Sequence, residues 1–210
     1  MEEAIRKQLD IYDRELTNLD LERLSYLDAS GYDVEFLSGI EHAVNLRNLH
    51  LPNNNIQDIS ELRNLKYLNF LSLWDNQILD ISPLENLKYL SYLDLESNKI
   101  KDVTKLRNLS NLETLYLYDN PLDFENKSSM ETIRALQDAG VNVYFDSSEL
   151  YPSLNAYVES STDTSLNIGW WVDYDTYVES FDVYLNGKLV DTVSSEVRSY
   201  IFDDLEPNTE

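Results

Sequence analysis

The chain has 210 residues, of which 42% are hydrophobic, and this is enough to bury a core and predicts a folded protein. Lysine and arginine number 16 against 39 aspartates and glutamates, and the formal charge of −23 argues against nucleic acid and anionic lipid as partners. The absence of cysteine excludes disulfides, thiolate metal sites and cysteine nucleophiles, and we expect neither a signal peptide nor membrane insertion in this segment.

Residues 1–23 predict a helical cap at the amino-terminal end. Ile5 and Leu9 are four residues apart, as on one face of a helix, and a second short helix is predicted to begin near Thr17. A stack of repeats needs such a cap, because its first repeat would otherwise expose core.

Between Leu24 and Leu122 the sequence repeats every 22 residues. Four columns define the repeat: Leu24, Leu46, Leu68, Leu90 and Leu112; Leu27, Leu49, Leu71, Leu93 and Leu115; Ala29, Leu51, Leu73, Leu95 and Leu117; and Tyr32, Asn54, Asn76, Asn98 and Asn120. The consensus Leu-x-x-Leu-x-Leu-x-x-Asn-x-Ile is that of leucine-rich repeats. One unit is too short to bury its own apolar edge, so the repeats must stack. We therefore predict an α/β solenoid with a curved parallel sheet, whose output is binding and not catalysis.

Each repeat divides into a short strand and a return segment. Strand residues such as Leu49 and Leu51 point inward, with outward residues between them. In the return segments apolar residues recur every three positions, which favours 3₁₀ or extended structure on the convex side. We interpret the asparagine column as satisfying backbone groups at the turn, and Asp58, Asp80 and Asp102 as turn or cap residues.

Beyond the last repeat a helix and a strand are predicted to close the solenoid. Ser128 and Glu131 form the Ser-x-x-Glu pattern of a capping box, and Gly140 stands where a helix ends. Residues 141–145 predict a final strand. We assign residues 1–148 to the leucine-rich-repeat domain.

The composition then changes, because Ser, Thr, Tyr and Asp dominate and strand-like alternation replaces the leucine columns. Strands are predicted at residues 166–170, 181–185 and 200–202, with a hairpin turn at Asn186-Gly187. Residues 151–210 are therefore predicted to be a second, all-β domain.

The repeats resemble those of the bacterial internalin-like proteins. The resemblance is clearest in the return segment Asp80-Ile81-Ser82-Pro83-Leu84, and the amino-terminal cap from Ala4 to Glu41 strengthens it. It extends from residue 1 to about residue 145. It implies an extracellular location on a Gram-positive cell, with the solenoid displayed for protein recognition and the tail domain as a spacer.

The tail resembles a fibronectin type III or related bacterial immunoglobulin-like domain. The resemblance is carried by the strand with Trp170 or Trp171, the turn Tyr184-Leu-Asn-Gly-Lys188 and the motif Leu205-Glu-Pro-Asn-Thr209. A sandwich of this type needs roughly 90 to 100 residues, and about 60 are present. We therefore expect an incomplete domain and a fragment of a longer protein.

Strand alternation predicts which side chains line the concave face of the sheet. If the strand leucines point inward, the residues beside them point outward in every repeat. The candidate partner-binding residues are Tyr26, Asp28, Asn48, His50, Phe70, Trp74, Asp75, Tyr92, Asp94, Glu96, Tyr116, Tyr118 and Asp119. Ser72 and Pro52 are expected to point outward in the same columns.

Large aromatic residues thus occupy outward strand positions that do not contribute to the core, and carboxylates surround them. This combination favours a basic or mixed protein surface as the partner. The alternative is that tyrosines occupy an outward strand face only because β-propensity favours them there.

The sequence offers no set of residues that would form a catalytic site. Asp94 and Glu96 lie two residues apart on one face, but an open sheet gives little burial to separate their pKa values. His42 and His50 have no evident nucleophile and orienting group around them. We therefore predict no catalytic residue, no cofactor and no metal site.

Two other functions remain open at this point. A carbohydrate- or cell-wall-binding accessory module of a larger secreted enzyme would also use aromatic platforms beside carboxylates. An intracellular scaffold would also use 22-residue repeats, although the fibronectin-like tail counts against it. Polysaccharide binding should barely depend on salt, whereas protein binding should weaken as salt screens the carboxylates.

Overall fold

The computed structural model describes residues 1–123, 126–146, 154–172, 178 and 180–206. The chain divides into two compact units, Met1–Asp146 and Ser147–Glu210. The predicted boundary between residues 148 and 151 lies outside the described residues. In the described part of the chain no helix is long and apolar enough to cross a membrane.

A six-stranded parallel sheet forms the centre of the first unit. Its strands pair in chain order: β1 (Tyr26–Asp28), β2 (Asn48–His50), β3 (Phe70–Ser72), β4 (Tyr92–Asp94), β5 (Thr114–Tyr116) and β6 (Asn142–Tyr144). Because the repeat length is constant, residues of the same column lie opposite each other on neighbouring strands. Leu49 therefore pairs with Leu27 on one side and with Leu71 on the other. These three leucines have no exposed surface. The predicted solenoid with a parallel sheet is confirmed.

Short 3₁₀ helices lie on the return path of the repeats, as predicted. They are Ile40–His42, Ser60–Asn64, Ser82–Leu84 and Thr104–Asn108. Three residues per turn bring every third side chain to one face, and Leu62 and Leu84 are accordingly buried completely. The turn role of three aspartates is also confirmed. Asp58, Asp80 and Asp102 each accept a hydrogen bond of 2.8–2.9 Å from the backbone N–H two residues further on.

The asparagine column satisfies backbone groups inside the first unit. Asn76 Oδ1 accepts a hydrogen bond from the Ile56 N–H at 3.0 Å. Asn76 Nδ2 donates to the carbonyl of Leu51 at 2.9 Å and to that of Leu73 at 3.0 Å. Equivalent bonds are made by Asn54, Asn98 and Asn120. Each amide ties its own repeat to the preceding one, which confirms the structural interpretation of this column.

Two helices form the amino-terminal cap, α1 (Glu2–Leu9), which packs against β1, and α2 (Asn18–Leu21). The Thr17 side chain accepts from the Asp20 N–H, and the Asp20 carboxylate accepts from the Thr17 N–H, so a capping box fixes the start of α2. Arg14 donates two hydrogen bonds of 2.7 Å to the same carboxylate. The bonds from Arg14 and Thr17 hold the pKa of Asp20 well below its ordinary value.

The carboxyl-terminal cap consists of α3 (Lys127–Asp138) followed by β6. The predicted capping box of Ser128 and Glu131 is wrong. The N-cap is Asn126, whose side-chain oxygen accepts from two backbone N–H groups of the first turn at 3.1 and 3.2 Å. An asparagine before the serine thus already supplies the cap. Gly140 follows the helix with a φ of 91°, as predicted.

The second unit is built of antiparallel strands. One sheet has β8 (Leu166–Val172) between β7 (Leu154–Ser161) and β11 (Ser199–Phe202). The other pairs β9 (Ser180–Leu185) with β10 (Lys188–Ser194). All three predicted strands are present among these five.

The buried core of the second unit draws on both of its sheets. Trp170 on β8, Val183 on β9 and Phe202 on β11 form one cluster. Trp170 is buried, whereas Trp171 is 52% exposed, so Trp170 is the core tryptophan of this strand.

The hairpin between β9 and β10 turns at the predicted position. Asn186 and Gly187 have φ values of 51° and 74°, and a type I′ turn requires positive φ at both central residues. The predicted motif from Leu205 to Thr209 extends past Glu206 and out of the described residues. The fibronectin type III assignment therefore stays a prediction.

Candidate binding face

The sheet of the first unit presents three aligned rows of side chains on the side away from its buried leucines. Residues that flank the central position of a strand point to the opposite face from it. The pairing register aligns Tyr26, Asn48, Phe70, Tyr92, Thr114 and Asn142 in the first row, and Asp28, His50, Ser72, Asp94, Tyr116 and Tyr144 in the second. The third row, two residues further on, is Ser30, Pro52, Trp74, Glu96, Tyr118 and Asp146. We call these three rows the sheet face.

The third row keeps the alignment of the strands although it lies beyond their ends. The carbonyls of Trp74, Glu96 and Tyr118 each accept a hydrogen bond of 2.9–3.0 Å from a backbone N–H in the preceding repeat. The parallel ladder therefore continues through these positions, and the three side chains stand side by side at a spacing of about 4.8 Å. Trp74 is 37% exposed and Tyr118 36%.

Ser72 and Pro52 stand in the outward rows where the strand alternation predicted them, but their side chains are buried. Both have short side chains next to larger ones in their rows. Ser72 stands between His50 and Asp94 and donates to the Asp94 carboxylate at 3.4 Å. Pro52 stands beside Trp74. The longer side chains beside them shield both residues from solvent.

One aromatic ring from every strand joins a continuous series across the sheet face. The rings are, in order, Tyr26, His50, Phe70, Tyr92, Tyr116 and Tyr144, with successive centroid distances of 5.3, 4.5, 4.4, 5.8 and 4.8 Å. Three of these contacts are stacked, and such arrangements are favourable beyond the area they bury. We call this series the aromatic ladder.

Carboxylates surround the carboxyl-terminal part of the ladder. Burial raises the pKa of Asp94, although its carboxylate accepts a hydrogen bond from the Glu96 N–H at 3.2 Å. Burial raises the pKa of Glu96 as well, and the nearby charges of Asp94, Asp119 and Asp146 add to that rise. No lysine or arginine occurs in the three rows. This end of the sheet face is therefore an uncompensated negative surface.

At the amino-terminal end of the sheet face, the carboxylate of Asp28 is hydrogen-bonded by Ser30. The Ser30 hydroxyl and N–H donate to Asp28 Oδ1, the latter at 3.0 Å, and they lower the pKa of Asp28. Asn48 is half-buried in the first row between Tyr26 and Phe70.

All predicted binding residues lie on the sheet face except Asp75 and Asp119, which lie directly beside it. These two have φ values of 55° and 52°, in the left-handed region. Gly31, Asn53 and Ser97 occupy the same column of the repeat with φ between 52° and 67°. Short polar residues and glycine tolerate this conformation best. The fold therefore accounts for these two residue types without any ligand.

Tyr144 and Asp146 complete the second and third rows but are absent from the predicted set. Tyr144 ends β6, and Asp146 follows it by two residues. The 22-residue period no longer holds here, because Tyr144 comes 28 positions after Tyr116. The Asp119 N–H donates to Asp146 Oδ2 at 2.7 Å, which ties this strand to the last repeat. Outward alternation within the predicted strand 141–145 is the signal that could have identified Tyr144.

The sheet face offers aromatic rings and carboxylates. Within the described ranges no group of three or more histidine, aspartate or glutamate side chains is arranged to hold a metal ion. His50 lies between Tyr26 and Phe70 in the ladder, tilted against Tyr26 and stacked on Phe70.

Comparison with known proteins places the repeats in a wider group. Residues 44–86 and 68–108 match the family model "Leucine Rich repeats (2 copies)". An internalin from Listeria monocytogenes has a similar structure, with a TM-score of 0.59 and 34% identity over 68% of this chain and 41% of that one. A leucine-rich-repeat protein from Leptospira interrogans gives a TM-score of 0.55 and 28% identity over 62% of this chain and 34% of that one.

The chain thus spans less than half the length of either solved relative. No curated protein matches it significantly. The match to the family model and the two structural similarities together identify the first unit as a leucine-rich-repeat solenoid, similar in structure to an internalin.

Proposed function

We propose that this chain is a non-catalytic recognition module that binds a partner protein through the sheet face, which is the predicted concave face. The observation that carries the proposal is the aromatic ladder. Six rings, one from each strand, line a surface that contributes nothing to the buried core. Tyrosine and tryptophan dominate the energetics of protein interfaces, and contiguous exposed aromatic surface is a feature of contact sites.

The charge around the ladder supports a basic or mixed partner surface. Glu96, Asp94 and Asp146 have no lysine or arginine beside them in their rows, and the whole chain carries a formal charge of −23. Such a field accelerates encounter with a positive surface and disfavours a negative one.

The dimensions of the sheet face limit what it can do alone. Six strands about 4.8 Å apart, with rows that span about five residues along the chain, cover roughly 24 by 17 Å, or about 400 Å². A standard interface takes about 800 Å² from each partner. We therefore include the exposed flanking residues Asp75 and Asp119 in the proposed binding surface.

We further propose that the module works outside the cell, on a bacterial surface or in secreted form, with residues 1–148 as the recognition domain. Residues 151–210 would then be a spacer of the fibronectin type III or immunoglobulin-like kind. The similarity of the first unit to a Listeria internalin supports the first part. The two antiparallel sheets that share Trp170, Val183 and Phe202 in one core support the second.

A second candidate is a module that binds cell-wall polysaccharide. The stacked rings of Phe70 and Tyr92 beside the Asp94 carboxylate favour it, because sugar rings also lie flat on aromatic side chains and donate hydroxyls to carboxylates. The two candidates differ in their dependence on charge.

The test is a capture experiment with the full chain, using cell-surface protein extracts and wall polysaccharide as parallel samples. Captured proteins are identified, purified and titrated against wild type, the Trp74→Ala/Tyr118→Ala variant and a Tyr67→Ala/Tyr89→Ala control. The control removes two aromatic residues that are exposed but lie outside the sheet face. We expect a protein whose affinity falls only in the first variant. Capture of polysaccharide alone, or equal losses in both variants, would contradict the proposal.

A further inference from the structure

We infer that Glu96, between Trp74 and Tyr118, is the position at which the sheet face takes up an arginine side chain of its partner. This inference rests on the proposed protein-binding function and specifies the chemistry of one contact within it. The three residues belong to the third row, and backbone hydrogen bonds hold them at the same level of successive repeats.

The backbone spacing of the three residues leaves room for a slot with Trp74 and Tyr118 as its walls. Neighbouring repeats are about 4.8 Å apart, so the backbones of Trp74 and Tyr118 are separated by about 9.6 Å. A flat group in van der Waals contact with a ring on each side needs about 7 Å between the ring planes. Neither ring stacks on another aromatic ring in the described residues, and both are more than one third exposed. One planar side chain can therefore enter between them.

Between these two residues the third row places the carboxylate of Glu96. In the described part of the chain no lysine, arginine or histidine lies within salt-bridge distance of Glu96. Burial and the charges of Asp94, Asp119 and Asp146 raise the pKa of Glu96, so its ionised form is disfavoured in the free protein. A positive group from a partner would relieve this repulsion. The free chain thus holds several like charges close together at a place where a cation fits.

Arginine fits this slot better than other cationic groups. Its guanidinium is planar, stacks on the faces of tryptophan and tyrosine, and donates two parallel hydrogen bonds to one carboxylate. A lysine ammonium can approach an aromatic face but cannot fill a flat slot or bind Glu96 through two parallel bonds. A sugar has no positive charge to offset the carboxylates. A metal ion would need a cluster of ligands, and the described residues offer none.

The experiment is a titration of the full chain with N-acetylarginine amide, followed through the indole N–H signal of Trp74 by NMR. The signal is assigned by its loss in Trp74→Phe. Nα-acetylcitrulline amide has nearly the same shape without the charge. Nα-acetyllysine amide, with its ε-ammonium free, has the charge without a planar head group. We expect a saturable shift with the arginine compound within about 50 mM, because one side chain binds in the millimolar range. The citrulline compound should cause no saturable shift.

Two variants locate the effect at Glu96. Glu96→Gln should weaken binding of the arginine compound by roughly five- to tenfold, because it removes a charge-assisted pair. Glu131→Gln on α3 makes the same change of charge at an exposed position outside the sheet face, and it should leave the titration unchanged. The inference is overturned by an equal response to citrulline, by a preference for lysine, by no response to arginine, or by equal binding in Glu96→Gln.

The same variants separate this inference from the proposed function. With an identified partner protein, a large loss in Tyr92→Ala together with full binding in Glu96→Gln would remove the arginine site and leave the sheet face as the interface. Full binding in both variants would contradict both the arginine site and the proposed binding through the sheet face.

Discussion

The rings of Phe70 and Tyr92 lie on neighbouring strands with their centroids 4.4 Å apart and their planes within 4° of parallel. They pair in the sheet register because they occupy the same column of successive repeats. Each ring is therefore fixed by a backbone ladder beneath it and by a ring beside it. An aromatic surface that is already ordered loses little conformational entropy on binding, which favours affinity.

The first prediction concerns the centre of the ladder. Tyr92→Ala removes a ring that contacts Phe70 on one side and Tyr116 on the other, and it should weaken partner binding at least about tenfold, as expected for a central hot spot. Isothermal titration with the purified partner measures the change. Tyr89→Ala is the control, since Tyr89 is 59% exposed and pairs only with Tyr67 among the described aromatic rings. An equal loss in Tyr89→Ala would argue against the ladder as the contact surface.

The second prediction concerns the asparagine column. Asn76→Ala leaves the buried Ile56 N–H without the Asn76 side-chain oxygen that accepts its hydrogen bond, and an unsatisfied buried donor is costly. The carbonyls of Leu51 and Leu73 each lose one of two amide donors. They keep the bonds from Asn54 and Asn98. We expect a loss of about 2–4 kcal/mol in the free energy of unfolding, measured by urea denaturation.

Asn55→Ala is the matched control for that measurement. Asn55 is exposed, and its side chain hydrogen-bonds the side chains of Asp33 and Gln77 at the surface, so its loss should cost less than about 0.5 kcal/mol. Equal costs for Asn76→Ala and Asn55→Ala would mean that the column does not support the fold.

The third prediction links stability to pH. Because the pKa of Glu96 is raised in the folded protein, ionisation of Glu96 costs stability as pH rises from its ordinary value of 4.5 through the raised one. Glu96→Gln removes that cost. It should be more stable than wild type at pH 7, by less than about 1 kcal/mol because the group is partly exposed, and equal to wild type below pH 4.5.

Denaturation curves at several pH values measure this difference. A variant that gains stability at neutral pH and loses partner affinity would mark Glu96 as a residue retained for binding. A loss of stability in Glu96→Gln at pH 7 would contradict the unfavourable environment assigned to its carboxylate.

The fourth prediction separates the two classes of ligand. Raising the ionic strength from about 0.1 to 1 M shortens the Debye length from about 10 to 3 Å, so a complex with a basic protein should weaken about tenfold or more. A complex with polysaccharide should change little. The Asp94→Asn/Glu96→Gln variant should show a flatter salt dependence than wild type with a protein partner. An unchanged slope would place the relevant charges elsewhere.

The repeat columns predicted the fold of the first unit well, because each column has one physical role. The leucines at Leu49 and Leu71 pair and are buried, and Asn76 bonds the backbone as its position implied. Register followed directly, since a constant repeat length places equal columns side by side. The fold of the first unit was therefore predictable without further information.

Details that depend on neighbours were harder to predict. Pro52 stands in an outward column but is buried, because exposure depends on the size of adjacent side chains and not on alternation alone. Ser128 fits a capping box, yet Asn126 caps the helix. Tyr144 joins the ladder through the pairing of β6 with β5, and the 12 residues of α3 between them break the 22-residue period that would have predicted it. Asp75 and Asp119 were predicted as binding residues, and the left-handed backbone that explains their type is not visible in the sequence.

Oxidative footprinting of the complex, read by mass spectrometry at individual aromatic residues, tests the central claim most directly. If the partner covers the sheet face, Trp74, Tyr92 and Tyr118 should oxidise more slowly in the complex than in the free chain. Tyr67 and Tyr89 should oxidise at unchanged rates, since they lie outside that face and are 50% and 59% exposed. Protection of Tyr67 and Tyr89 with no change at Trp74, Tyr92 and Tyr118 would contradict the claim that the sheet face is the binding surface.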